Sequence, residues 1–273
     1  MYNWKKYNQA IIPDCPPHFR VTDSIDTIRN ILKDSGMYFA RWTSDFDCQV
    51  ETKFWYVIND KKLDITDYSK NTRSKIRRGL KRCKVILVEK TEIKKHGFEC
   101  YIQAFRSYRT HMLPKNIQDF TKEIDMLDET WHFWGIYNSD GKMIGYSQNK
   151  VFNDYCDYST IKFHPEYLKL YPSFALFYTM NQYYLNENNF QYVNDGSRSI
   201  SHDTNIQAFL MSKFKFRKAY CKLHIIYSKP VKILVKILFP FSRVFRYFDY
   251  GPLVKINILL YQESIRRSYE KRD

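Results

Sequence analysis

Four residues have side chains and settings suited to acid–base chemistry: Asp195, His202, Tyr220 and Tyr146. Asp195 follows a short apolar run, Phe190–Val193, and precedes Gly196, so a strand end and a flexible turn can lift its carboxylate into a cleft. There it can hold a cation or move a proton. The plainer alternative is a turn aspartate that caps the next segment. His202 can act as a base or simply face solvent, and Asp203 reads as the cap of the helix after it. Tyr220, before the last strand-like run, and Tyr146, within a strand pair, can each protonate a leaving thiolate or hydroxyl. In a chain with 23 tyrosines, packing is the alternative role for both.

A second set could hold an anion. Arg73, Arg77 and Arg78 lie in the densest basic stretch of the chain, Thr72–Lys84. Lys213 and Lys215 precede the closing strand. Ser173 follows Pro172 and can cap a helix while offering its hydroxyl to a phosphate. The formal charge of +15 makes acidic partners the natural ones: nucleic acid, anionic lipid, a phosphorylated cofactor or an acidic carrier protein. Plain solvated charge is the alternative, strongest for the dispersed lysines. The eight glycines are too few for a glycine-rich phosphate cradle. The six cysteines, 15, 48, 83, 100, 156 and 221, include no CxxC pair, so no metal site is expected. The start of the chain does not read as a signal peptide, and a cytoplasmic protein with reduced thiols follows.

The elements that must position these groups read as follows. Residues 1–20 look irregular. A helix spans about Ser24–Lys33 and stops at Gly36. Strands follow near Met37–Trp42 and Lys53–Val57. A basic helix covers Thr66–Lys84, capped by Asp67 or Ser69, with Tyr68, Ile76 and Leu80 inward; a strand follows at Val85–Glu89. Helices cover about Phe98–Leu113 and Asn116–Asp128. Then come strands at Trp131–Tyr137, Lys142–Val151 and Tyr155–Phe163, the first two joined by the hairpin turn Asn138-Ser139-Asp140-Gly141. A helix at Ser173–Glu187, a strand at Phe190–Val193, a helix at Asp203–Lys213 and a strand at Lys222–Tyr227 complete the order. The class is α/β, an antiparallel meander with later crossover helices.

That order is the one seen in GNAT acyltransferases, and three stretches resemble their Fem-type branch, whose members build the peptide bridges of bacterial cell wall. Thr72–Lys81 is similar to a basic R..IRR..K helix. Leu170–Leu176 resembles the proline turn that opens the central helix. Tyr192–Ser197 with Asn205–Phe216 resembles a YDfGg…gi..FK..FG signature. The resemblance covers roughly Tyr68–Tyr227. It implies a GNAT fold, a mixed, mostly antiparallel central sheet flanked by helices, with two GNAT-like halves: residues 1–128 as a degenerate first half carrying the basic helix and 129–228 as the acyltransferase half. It further implies transfer of an acyl or aminoacyl group to an amine of an amino sugar, amino acid or cell-envelope precursor, with Asp195 gripping the amine and Lys213, Lys215 and the basic helix meeting the donor. No tightly bound cofactor is implied; the donor is a co-substrate, acyl-coenzyme A, acyl carrier protein or aminoacyl-tRNA. The sequence departs from the pattern in three places, the first being Ser201-His202-Asp203-Thr204, which fills a position where glycines are commoner. The turn His164–Ser173 lacks the glycines that bind pyrophosphate, and Lys215 stands where glycine is usual.

Residues 229–273 form a basic and apolar tail divided by Pro240, with Lys232 and Lys236 one helical turn apart. An amphipathic helix lying on an anionic inner membrane face is one reading; a helix packed on the core is the other. Arg266–Asp273 reads as solvated. The competing function is a GNAT-like module that binds tRNA or anionic lipid without catalysis. Sequence-specific DNA binding is not expected, because the basic helix is not set in a helix-turn-helix pattern.

Overall fold

The computed structural model describes residues 3–108, 113–200, 205–245 and 252–270. In chain order the elements are β1 (Trp4–Tyr7), β2 (Ala10–Pro13), α1 (Ile25–Ser35), β3 (Phe39–Ser44), β4 (Phe54–Asn59), α2 (Lys70–Arg82), β5 (Lys84–Val88), α3 (Lys90–Arg106) and α4 (Ile117–Asp125). There follow β6 (Trp131–Tyr137), β7 (Met143–Phe152), β8 (Tyr155–Phe163), α5 (Pro172–Asn181), β9 (Tyr192–Ser197), α6 (Asn205–Phe214), β10 (Arg217–Tyr227), α7 (Lys229–Leu238), α8 (Ser242–Phe245) and α9 (Pro252–Glu270). They fold as two compact units. The first comprises Met1–Tyr56, Ser197–Asn205 and Lys218–Asp273; the second comprises Val57–Gly196 and Ile206–Arg217.

In the first unit, β1 and β2 form a hairpin in the stretch expected to be irregular. Its two-residue turn, Asn8-Gln9, has positive φ at both positions, 44° and 66°. That is the backbone such tight hairpins require, reached here without glycine. β2 runs parallel to β3, and β3 pairs antiparallel with β10 from Ser44↔Lys222 to Phe39↔Tyr227. Ser24 caps α1 by accepting from the Thr27 amide, and Gly36, at φ 71°, ends it. The helix buries Ile28 and Leu32 against Ile11 and Ala40.

The tail belongs to this unit. Ile265 of α9 is fully buried with Phe54, Cys221 and Leu223. The end of α9 is not simply solvated: Arg266 and Arg267 both bond to Glu263, which is only 2% exposed and also accepts from Tyr227 Oη at 2.9 Å. Arg198 is sandwiched nearby. Its guanidinium lies 4.3 Å from the Trp55 ring centroid and donates to Tyr261 Oη at 2.8 Å.

In the second unit, β5, β6, β7 and β8 pair antiparallel in sequence order, and β9 joins β8 in parallel. The Asn138–Gly141 turn closes the β6–β7 hairpin, with Gly141 at φ 76°. α3 begins earlier than expected, at Lys90, and with α4 covers one face of the strands. Ile93, Cys100, Phe120 and Ile124 meet Phe133, Met143 and Tyr146 there. Ser69, not Asp67, caps α2. Tyr68 and Ile76 are buried as expected, but Leu80 points outward and is 41% exposed. α5 continues into a single π-helical turn, Gln182–Glu187, whose Gln182 and Asn186 side chains both donate to the Leu63 carbonyl. The fold class is therefore α/β with mixed, mostly antiparallel strand pairing and flanking helices.

Candidate active site

The strands of the second unit open a fork. β8 and β9 pair for three positions only, Tyr155↔Tyr192, Cys156↔Val193 and Asp157↔Asn194, and then part. On the other edge of β8 the register against β7 skips a residue. Gln148 opposes Thr160 while Asn149 opposes Tyr158, so Ser159 forms a bulge. A bulge re-aims backbone groups away from the ladder. The carboxyl ends of parallel strands, where neighbouring strands diverge, are where α/β folds place ligands. Fork and bulge here meet around Tyr158.

Asp195 is the first residue beyond the last paired position of β9. The turn that carries it is fixed by Asn194, which is 2% exposed. The Asn194 amide donates to Asp157 Oδ1 at 3.0 Å and Tyr155 Oη at 3.1 Å, while its carbonyl accepts from the Gly196 amide at 2.9 Å. Gly196 adopts φ 89°, a backbone that other residues rarely take. Burial, with the Asp157 carboxylate adding to it, pushes the Asp195 carboxyl up to about 8. Such a group exchanges its proton near neutrality.

Behind the fork lies a buried polar group of three. Tyr158 Oη donates to Asn181 Oδ1 at 2.9 Å, and burial holds its phenol well above the usual range. Tyr68 sits beside Asn181. Tyr68 Oη and Asn181 Nδ2 are buried and form no hydrogen bond of good geometry, although the Asn181 side chain lies close enough to lower the Tyr68 phenol against the effect of burial. Unsatisfied buried polar atoms are costly and are commonly kept for a ligand or water.

The turn before α5 is built differently from an open phosphate cradle. Residues Pro165–Leu170 form a 3-10 turn, Tyr171 adopts φ 62°, and Pro172 opens α5 without an amide hydrogen. Beyond Ser173, the amides of Phe174 and Ala175 are already given to the Tyr171 carbonyl at 3.1 and 3.2 Å, which leaves that of Ser173 as the one amide of this turn open to a ligand. The basic helix packs directly on this turn: Arg82 donates to the Lys169 carbonyl, and the Cys83 thiol lies 3.7 Å from that of Leu170. Its outer face carries Arg77 and Arg78, exposed and in no ion pair among the described residues.

The sequence candidates separate on this framework. Asp195 stands at the fork. Tyr146 does not; it is 1% exposed in the α3–α4 core, where burial raises its phenol well above the usual range, so it is a packing residue. Tyr220 belongs to the first unit, donates to Glu51 at 3.1 Å and packs edge-on against Trp55. His202, with Asp203, lies outside the described residues. Ser173 is not the cap of α5, a position taken by Tyr171, but a half-buried residue of its first turn. Arg73 donates to the Thr66 carbonyl. Lys213 is half-buried at the end of α6, and Lys215 closes that helix at φ 57°. Sequence reading missed Asp157, Tyr158, Asn181 and Tyr68. The carboxylate two residues into β8, at the same register as Asn194, was the available signal.

No protein-family profile matches the sequence, and no curated protein matches it. Solved structures do match the fold. FemX superposes over 85% of this chain and 85% of its own, at 14% identity and a TM-score of 0.58. The C-terminal domain (DUF2156) of a protein described as a lysylphosphatidylglycerol synthetase from Agrobacterium fabrum superposes over 86% of this chain and 82% of its own, at 13% identity and a TM-score of 0.54. The chain thus shares the mixed α/β fold of these two proteins. Identities this low speak for the fold alone.

Proposed function

We propose that the second unit is an N-acyltransferase of the Fem-type branch, moving an acyl or aminoacyl group onto the amine of an amino sugar, amino acid or cell-envelope precursor. The observation that carries this reading is Asp195 at the β8–β9 fork, with its carboxyl pushed up to about 8. An acceptor arrives as an ammonium and must lose a proton before its nitrogen can attack. Asp195 in its ionised form takes that proton. Nitrogen then adds to the acyl carbonyl carbon, and a backbone amide released from the ladder at the Ser159 bulge would receive the oxyanion. As the tetrahedral species collapses, the bond to the leaving oxygen or sulfur breaks, the protonated Asp195 returns a proton to it, and the nitrogen gives up its second proton to solvent to leave the neutral amide. One carboxyl group serves both transfers because its proton affinity lies close to neutrality. Tyr158, Asn181 and Tyr68 would orient the substrate end that enters the fork.

The donor is read as a macromolecule, aminoacyl-tRNA or acyl carrier protein. The start of α5 offers few free amides for a pyrophosphate, whereas the outer face of α2 offers unpaired guanidinium groups. Its test is product detection by mass spectrometry, with each donor class offered to a panel of amines. Amide formation from aminoacyl-tRNA or acyl carrier protein, reduced about 10²–10⁴-fold in Asp195→Asn, supports the reading. Turnover unchanged in Asp195→Asn refutes it. Donor binding through Arg77 and Arg78 with no product from any amine would instead favour the non-catalytic binding module.

A further inference from the structure

The first unit contains a groove of about 1150 Å³, separate from the chemistry above, bounded by α1, the end of β10, α7 and α9. Its floor is largely apolar, from Leu32, Met37, Ile225, Ile226 and Val235. Its rim is cationic. Lys33, Lys229, Lys232 and Lys236 contribute there, and none of the four makes an ion pair among the described residues. The single carboxylate in the lining, Glu263, is already held by Arg266 and Arg267. The excess positive charge therefore has no internal counterion.

A second observation points to what neutralises it. Ser228 stands at the cap position of α7, yet its side chain caps nothing, and its Oγ is buried without a partner. Pro230 in the first turn has no amide hydrogen to give, and the Val231 amide that follows makes no hydrogen bond to the Ser228 side chain. The result is an unused hydroxyl beside a helix start and four uncompensated ammonium groups. That is a setting for an anionic oxygen, with an apolar slot alongside.

A third observation concerns the outer side of the same helix. Next to the lysine stripe of α7, Ile233, Leu234 and Ile237 are 62%, 40% and 60% exposed, and beyond its end Phe241 in the following 3-10 turn and Val244 in α8 are exposed too, at 59% and 55%. Lysines beside exposed apolar residues are the arrangement of a helix lying in a bilayer interface. No helix among the described residues is long and apolar enough to cross a membrane, so the contact is of this lying kind.

We infer that this groove takes the phosphate headgroup of an anionic phospholipid while the outer face of α7 rests in the membrane interface. The ammonium groups and Ser228 Oγ hold the phosphate, the apolar floor takes the start of an acyl chain, and Ile233 and Ile237 enter the headgroup boundary. The inference rests on the first unit alone and stands whether or not the second unit is an acyltransferase.

Flotation of the full chain with vesicles tests it, comparing pure phosphatidylcholine with phosphatidylcholine carrying about 30% phosphatidylglycerol, near the anionic content at which basic patches bind. Expected is flotation with the anionic vesicles only, weakened about a hundredfold by the combined Lys33→Gln, Lys232→Gln and Lys236→Gln changes, the worth of three basic residues near a charged surface. Ile233→Ser with Ile237→Ser should leave the charge preference but abolish the binding that persists at high salt. These positions are exposed, and circular dichroism checks that the variants fold. Equal binding to both vesicle types overturns the inference, as does an unchanged affinity in the triple variant. Binding of inorganic phosphate or of RNA at the same lysines, with no flotation, would also overturn it and assign the groove to a soluble anion.

Discussion

The carbonyl oxygen of Tyr171 occupies the space that a side chain on Gly79 would need. A Cβ built on Gly79 falls 2.7 Å from that oxygen and 3.2 Å from the backbone nitrogen of Ala175. The basic helix and the start of α5 thus meet backbone to backbone, and the cationic face of α2 is held against the turn by steric fit rather than by charge. Gly79→Ala should destabilise the protein by about 1–3 kcal/mol in urea unfolding, outweighing the gain of about 1 kcal/mol in helix propensity. A neutral result would mean that the two helices can slide apart freely.

Asp195 gives a pH prediction with a definite sign. Its carboxyl is pushed up to about 8, so near neutrality the base form is the minority and grows as pH rises. Turnover should climb through about pH 7–9, around the carboxyl's value of about 8, and level off beyond, and Asp195→Asn should flatten the profile as well as lower it. Stability runs the other way. The folded carboxyl binds its proton more tightly than the unfolded one, so its contribution is greatest at low pH and is lost as pH rises towards 8. Asp195→Asn should therefore be stabilising above pH 8, by at least about 1 kcal/mol, and nearly neutral at pH 4. A stability difference that did not change with pH would remove the titrating carboxyl from the account.

Glu263 shows the opposite linkage. Burial works against its charge, but the hydrogen bonds from Arg266 and Arg267 overcome that and hold its pKa below the usual range. Its contribution is present above the ordinary glutamate range and is lost as pH falls through the depressed folded value. Glu263→Ala should cost about 2–4 kcal/mol at pH 7, since it strips two guanidinium groups and the Tyr227 hydroxyl of their partner. The cost should shrink at low pH. Thermal melts of both proteins from pH 3 to 7 would show it.

Lys215 closes α6 in the left-handed region at φ 57°, and the Phe216 amide reaches back to the Leu210 carbonyl at 3.4 Å. A side chain there costs about 1–2 kcal/mol, part of which glycine returns as unfolded-state entropy. Lys215→Gly should raise stability by about 0.5–1 kcal/mol. If Lys215 also meets a donor phosphate, the same variant will raise KM for the donor while leaving kcat unchanged; an unaltered KM would leave it a turn residue only.

Much of the second unit was legible in the sequence because its signals are local. The Asn138–Gly141 turn, the alternation along β6–β8 and the capped basic helix each speak for themselves. Asp195 could be singled out as a candidate because a strand end, a carboxylate and a glycine are adjacent in the chain. What surrounds it was not, since Tyr68, Asp157 and Asn181 reach the same region only through packing of distant segments. The β1–β2 hairpin escaped notice because Asn8-Gln9 supplies positive φ without the glycine that usually announces such a turn. Tyr146 misled for a related reason: alternation places it on one of two faces of β7, and only the docking of α3 and α4 reveals that this face is the core. The tail read equally as a helix on a membrane or one packed on the core because its apolar residues are interrupted by lysines, and only the packing of Ile265 against Cys221 and Leu223 of β10 favours the second for α9.

The pairing of β3 with β10 has a consequence for how the protein is made. Ser44 and Lys222 are neighbours in the sheet but are synthesised far apart, and the whole of Val57–Gly196 emerges between them. During translation the N-terminal hairpin and β3 must wait with an open strand edge, an invitation to wrong pairing, until the last quarter of the chain leaves the ribosome. The second unit, nearly continuous in sequence, faces no such delay. A nascent chain stalled before β10 should therefore be protease-resistant from about residue 57 onward and sensitive ahead of it, and chaperone dependence should concentrate on the first fifty residues.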